Sequence, residues 1–164
     1  MNIDGYIYKL PIELKLLVAA FTTVLCIGFF SGILFVDETT SLSLNGIEEQ
    51  YLGNEYDIDA EVMKFKKTKK QILTLIHNHL LSMSIIFFLL GGILSITKLN
   101  LKVKLFLIIE PFVSIVLTFG GLYLLWLGLT WVKYIVMFSG LLMIFCFITS
   151  VFIILLQLTK HKLE

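Results

Sequence analysis

Arginine is missing altogether from these 164 residues: all thirteen basic side chains are lysine. Bidentate clamps on carboxylate or phosphate usually rely on the planar guanidinium, so a site built to recognise such anions is not expected. Cysteine is scarce. Cys26 and Cys146 stand alone, with no CxxC, which favours two buried structural thiols over a redox pair or a disulfide. The net charge is only +1, which gives no case for nucleic acid binding.

What is abundant is apolar surface: 58% of residues are hydrophobic and the mean hydropathy is +0.94. A soluble domain of this length cannot hide that much, so the bilayer is the expected solvent. Four apolar runs stand out, at 15–36, 76–97, 105–129 and 134–158. Each has about the 20 residues that a helix needs to cross a hydrocarbon core of about 30 Å. Alternating ten-residue strands are missing, so the spans are expected to be helices. The expectation is one all-α domain over 1–164, an integral membrane antiparallel four-helix bundle with an exterior loop between helices 1 and 2. The first run is expected to be a span rather than a signal peptide. Glu13 and Lys15 precede it, Asp37 and Glu38 follow it, and no small-residue cleavage site appears.

Four spans put both termini on one side. That side carries seven lysines (9, 15, 98, 102, 104, 160, 162) against six (64, 66, 67, 69, 70, 133) on the other. The short lysine-rich turn at 98–104 lies close to two spans, where the positive-inside rule is strongest. The termini are therefore expected in the cytoplasm and the protein in the cell (inner) membrane of a bacterium. The acidic loop then faces outward. In that loop Asn45-Gly46 and Gly53-Asn54 are turn signals, and 47–52 is expected to form a short surface helix. The loop reads either as an interfacial connector whose lysines meet headgroups or as a cap over one end of the bundle.

At 100° per residue the spans resolve into faces. Span two groups Thr74, His77, Ser84, Gly91 and Ser95. Span three groups Glu110, Ser114, Gly121 and Gly128, with Phe112, Phe119, Tyr123 and Trp126 roughly opposite. Span four groups Ser139, Met143, Cys146, Ser150 and Gln157, and span one Ala19, Thr22, Thr23 and Cys26. Small and weakly polar residues are what membrane helices use to pack, so the aromatic face of span three is expected to meet lipid.

Ionisable groups inside spans are costly and are the default candidates for function. His77-Asn78-His79 opens the second span. Imidazole ligates transition metals and haem, and Glu48, Glu49 and Glu55 of the loop are the carboxylates placed to help. Two residues apart on a regular helix, the rings point about 200° apart. They share one ion only if the helix starts at or after His79. Otherwise His77 faces the bundle and His79 faces lipid or another subunit. Glu110-Pro111 lies in the third span. An ionised carboxylate is costly there, so the neutral form is expected. It would donate to the carbonyl that Pro111 frees, or reach Ser95 or Ser150. In an antiparallel hairpin His77 and Glu110 fall about 20 Å apart along the helices, too far to form one site.

Several short pieces point to a common source: Gly46-Ile47-Glu48-Glu49, Gly53-Asn54-Glu55, Met63-Lys64-Phe65, His77-Asn78-His79, Gly91-Gly92, Ile109-Glu110-Pro111-Phe112 and the 120–126 run. Through them most of the chain resembles small four-span bacterial membrane proteins with an H-x-H at the start of the second span. The resemblance brings no established activity; it ties the loop and the histidines into one unit. Other four-span families fit poorly. Disulfide-forming oxidoreductases need paired loop cysteines, glutathione-using enzymes need arginines, and claudin-like proteins need a W-GLW-C-C loop. No nucleophile–base constellation points to an enzyme. Three readings stand: a metal or haem binder at His77 and His79, an accessory or assembly subunit of a membrane complex, and a small oligomeric proton-linked transporter using Glu110. The bilayer is the one partner all three require.

Overall fold

The computed structural model describes residues 4–55, 57 and 62–159. Asp59 and Glu61 of the acidic loop, and Lys160, His161 and Lys162 of the tail, lie outside the described residues. All regular secondary structure among the described residues is helical, with no strand. A 3-10 turn at Tyr6–Lys9 leads into α1 (Ile12–Thr40), followed by α2 (Leu44–Leu52), α3 (Lys69–Ser95), α4 (Leu101–Trp126) and, after a 3-10 turn at Thr130–Val132, α5 (Lys133–Thr159). The long helices α1, α3, α4 and α5 are the four candidate membrane spans. They run up and down as the four-run pattern predicts.

The spans are not equal partners. Half of the α4 span is buried in the bundle and 39% of the α5 span, against 11% for α3 and 6% for α1. The α4–α5 hairpin is therefore the core, and α3 and α1 are laid against it. Phe29 of α1 stacks on Phe147 of α5 with centroids 3.8 Å apart, and Phe87 of α3 meets both rings edge-on. That aromatic knot joins the two outer helices to the core.

Two of the spans start on a visible side-chain cap. Thr68 and Gln71 form a reciprocal capping box at the start of α3, and Asn100 Oδ1 accepts from the Lys102 N–H at the start of α4 (3.0 Å). The α3 box starts the helix seven residues before the predicted 76, adding polar turns outside the apolar run. Between α1 and α2 the chain reverses through Ser41 and Leu42, both left-handed (φ 49° and 44°). Gly46 then lies so close to the end of α1 that a β-carbon there would sit 1.9 Å from the Thr40 carbonyl oxygen.

The loop is a cap over one end of the bundle. Ile47 of α2 is buried in the core cluster. Lys133 of α5 reaches back to Glu48 Oε2 at 2.6 Å. The returning segment bonds the end of α2 and the residues after it: Asn54 N–H donates to Lys64 O (2.9 Å) and Lys67 N–H to Tyr51 O (3.2 Å). Trp126 donates its indole N–H to Lys67 O (2.7 Å). Gly53 sits where a β-carbon would be 2.7 Å from Lys66 N, and its φ is +84°, so glycine is required on both counts.

At the opposite end Lys104 is the tie. Its ammonium bonds Asp4 Oδ1 (2.6 Å), Thr97 O (2.6 Å) and Ser95 O (3.1 Å). Gln157 brackets the Lys98 peptide, accepting from its N–H and donating to its carbonyl. The hydrogen bond from Lys104 holds the Asp4 carboxyl below its ordinary 3.8. The folded carboxyl is the stronger acid, so the Asp4–Lys104 ion pair is intact above the ordinary value and is lost as pH falls through the lower, folded one. Amide exchange at Ile7, whose N–H bonds Ile96 O (3.1 Å), should show full protection at neutral pH and a partial decrease only below the ordinary carboxylate range, since the Lys104 bonds to the Ser95 and Thr97 carbonyls remain. Protection lost already near neutrality would contradict this.

Candidate functional site

Along the α4–α5 seam, side chains meet in antiparallel order from the cap end inward. Gly121 lies against Val136, so closely that a β-carbon would be 2.7 Å from Val136 Cγ2. One turn on, Thr118 Oγ1 and Ser139 Oγ share a hydrogen bond of 2.7 Å. Further in, Ser114 donates to Glu110 Oε1. The Cys146 thiol of α5 lies beside the same carboxyl, close enough for a weak side-chain hydrogen bond to it. Glu110 is 9% exposed, Ser114 1%, and Cys146 is fully buried.

Glu110 is unlike every other polar group of the bundle. Its Oε2 is the one buried side-chain oxygen or nitrogen among the described residues with no hydrogen-bond partner. Leaving such an atom unpaired costs about 1–3 kcal/mol. Pro111 follows directly and removes one N–H from the helix ladder. The predicted partners Ser95 and Ser150 are not the ones used; the observed partner is Ser114, one turn along the same helix. The backbone geometry agrees with the hairpin expected: Gly91 of α3 lies against Ile108 of α4, close to the level predicted for Glu110.

The histidines are arranged differently from expectation. It is His79, not His77, that meets the neighbouring helix. The His79 ring lies 4.9 Å from the Phe119 ring of α4, and its Nδ1 is 2.8 Å from Leu75 O. His77 is exposed on another side of α3. Helix α3 begins at Lys69, well before both residues, so the two rings diverge and cannot chelate one ion. Phe119 itself is buried, 6% exposed, where the aromatic face of this span was expected to meet lipid. Glu48 is engaged by Lys133, and Glu55 Oε1 accepts from Lys66 N–H (3.3 Å); Glu49 is half-buried on α2. Among the described residues no group of three or more His, Cys, Asp or Glu side chains is placed to hold a metal ion.

The α5 stripe is as expected: Ser139, Met143, Cys146, Ser150 and Gln157 are all buried. Three side chains that fasten the two ends were not singled out for that role: Lys104, Lys133 and Trp126. Their signal was weak, because a lysine or tryptophan near the end of a span reads as an interfacial anchor before it reads as a tie to backbone carbonyls.

Four apolar helices with polar ends, one of them holding a buried carboxyl, define a multi-pass helical membrane protein. The chain belongs to the Aq_1264_TM family, whose model, a transmembrane helical domain, matches residues 41–164. That stretch contains α2 to α5. No curated protein and no solved structure matches the chain.

Proposed function

We propose that this protein carries out proton-linked transport in the cell (inner) membrane of a bacterium, with its termini in the cytoplasm and Glu110 as the group that takes up and releases the proton. The observation that carries the reading is the orphaned Glu110 Oε2 in the core seam. No other buried side-chain oxygen or nitrogen among the described residues is left without a hydrogen-bond partner, and the one further group facing this carboxyl from α5 is the weakly donating Cys146 thiol. The Ser114 hydroxyl donates to Oε1 and leaves Oε2 as the atom that bonds the proton. A single four-helix unit has no second half to alternate against, so the working form is an oligomer. In reconstituted vesicles with an imposed pH gradient, the wild type should pass protons and Glu110→Gln should lose that flux, with Glu110→Asp retaining part of it. Wild-type flux in Glu110→Gln, or no flux above empty vesicles in the wild type, would remove the reading.

A second reading, an accessory or assembly subunit, is favoured by α1, whose span is only 6% buried within the chain. The residues Cys26, Ile27, Phe30, Ser31 and Leu34 line an open apolar groove on it. This reading predicts a stable larger complex on gentle solubilisation. The metal or haem reading at His77 and His79, with Glu48, Glu49 and Glu55, has the least geometric support: the rings diverge and two of the carboxylates have other partners. Elemental analysis and an absorbance spectrum of the same preparation would revive it only if metal or a Soret band appeared in stoichiometric amount.

A further inference from the structure

The segment 62–70 takes no part in the proton site, and its make-up is distinctive: Val62, Met63 and Phe65 alternate with and precede five lysines in nine residues. Its backbone is fixed. Asn54 accepts from Lys64 N–H (2.6 Å) and donates to Val62 O (3.0 Å), and Trp126 holds Lys67 O. Yet Val62, Met63 and Phe65 are 66%, 62% and 66% exposed. Met63 and Phe65 flank Lys64 and are both turned to the outside. Lys64 reaches the other way to Thr39 O, and Lys66 lies over the Trp126 ring, 5.4 Å from its centroid.

This fixed apolar edge directly precedes α3, one of the four candidate membrane spans. Trp131 and Tyr134, exposed at the same end, mark the level at which aromatic residues meet headgroups. Lys66, Lys69 and Lys70 are exposed and make no ion pair among the described residues. The first turn of α3 contains no acid to offset Lys69 and Lys70, so the positive charge is left for a partner outside the chain. Inserted apolar side chains next to unpaired lysines are complementary to an anionic lipid surface.

We propose that segment 62–70 is a clamp for anionic phospholipid: Met63 and Phe65 enter the acyl boundary while Lys66, Lys69 and Lys70 hold the negatively charged headgroup. Lysine suits this diffuse charge, for which the fixed fork of arginine is not needed. The test is native mass spectrometry of the detergent-solubilised full chain equilibrated with equal phosphatidylglycerol and phosphatidylcholine. Wild type should retain phosphatidylglycerol preferentially. The triple variant Lys66→Gln, Lys69→Gln, Lys70→Gln should lose that preference by about 10- to 100-fold, while Lys102→Gln at the opposite end keeps it. Phe65→Ser should weaken retention of both lipids alike. Equal retention of the two lipids by wild type, an unchanged preference in the triple variant, or an unaffected Phe65→Ser would each overturn the proposal.

Discussion

Gly46→Ala should detach the cap while leaving the four spans in place. An alanine β-carbon at this position would sit 1.9 Å from the Thr40 carbonyl oxygen and 2.6 Å from its carbon. Both are backbone atoms that a side-chain rotation cannot clear. Either α2 lifts away or the turn through Ser41 and Leu42 rearranges, and that turn is already left-handed at two non-glycine residues. The cost is about 3 kcal/mol or more, at the upper end for overpacking. It falls on the docking of α2: burial of Ile47, the Glu48–Lys133 bond, and the backbone bonds of the returning segment. Because opening of the loop governs cleavage when opening is fast, limited proteolysis within 41–68 should accelerate about 100-fold. Gly28→Ala is the control. Nothing lies within 4 Å of a β-carbon there, so its proteolysis should match wild type. A wild-type rate for Gly46→Ala would mean that the α1–α2 junction is looser than described.

Lys104→Met should produce the second large effect, at the other end. The lysine is buried, and its ammonium satisfies the carbonyls of Ser95 and Thr97, which terminate α3, as well as Asp4. A cation at a helix C-terminus also complements the helix dipole. Methionine keeps the apolar stem and removes every bond. Loss of the two charge-assisted bonds to carbonyls should cost about 2–4 kcal/mol. Asp4→Asn should leave most of that stability in place, because the Asp4 side chain is 41% exposed and an exposed ion-pair partner contributes little. Thermal or denaturant unfolding in a lipid-like detergent separates the two. Equal losses from both variants would show that the ion pair, and not the carbonyl capping, fastens this end.

The four spans were legible because hydrocarbon thickness sets their length, and length survives ignorance of everything else. Their ends were less so. The start of α3 at Lys69 depends on the Thr68–Gln71 box, which adds polar helix outside the apolar run. The α5 stripe was legible because Ser139, Cys146, Ser150 and Gln157 recur at helical spacing on one face. On α4 the stripe of Glu110, Ser114 and Gly121 is buried as expected, but Phe119 from the aromatic face is buried as well. On α3 Gly91 is buried and His77 is exposed, because periodicity gives angular spacing but not which arc of a mostly apolar helix meets the bundle. His79 and Phe119 meet each other, and neither side of that pair carried a signal apart from being aromatic. Glu110 was legible as a buried ionisable group from its position alone. Its partner was not, since Ser114, one turn along the same helix, competes with any group across the seam. The ties at Lys104, Lys133 and Trp126 join segments as far apart as 100 residues, and no local pattern encodes such pairings.

The most direct test of the central claim is reaction of the membrane-embedded protein with a hydrophobic carbodiimide, followed by peptide mass spectrometry. Such a reagent enters from the lipid phase and modifies carboxyl groups that bind a proton there. The account predicts an adduct at Glu110, none at Asp37 or Glu38, and loss of proton flux in proportion to labelling. An unmodified Glu110, or full flux after its modification, would contradict it.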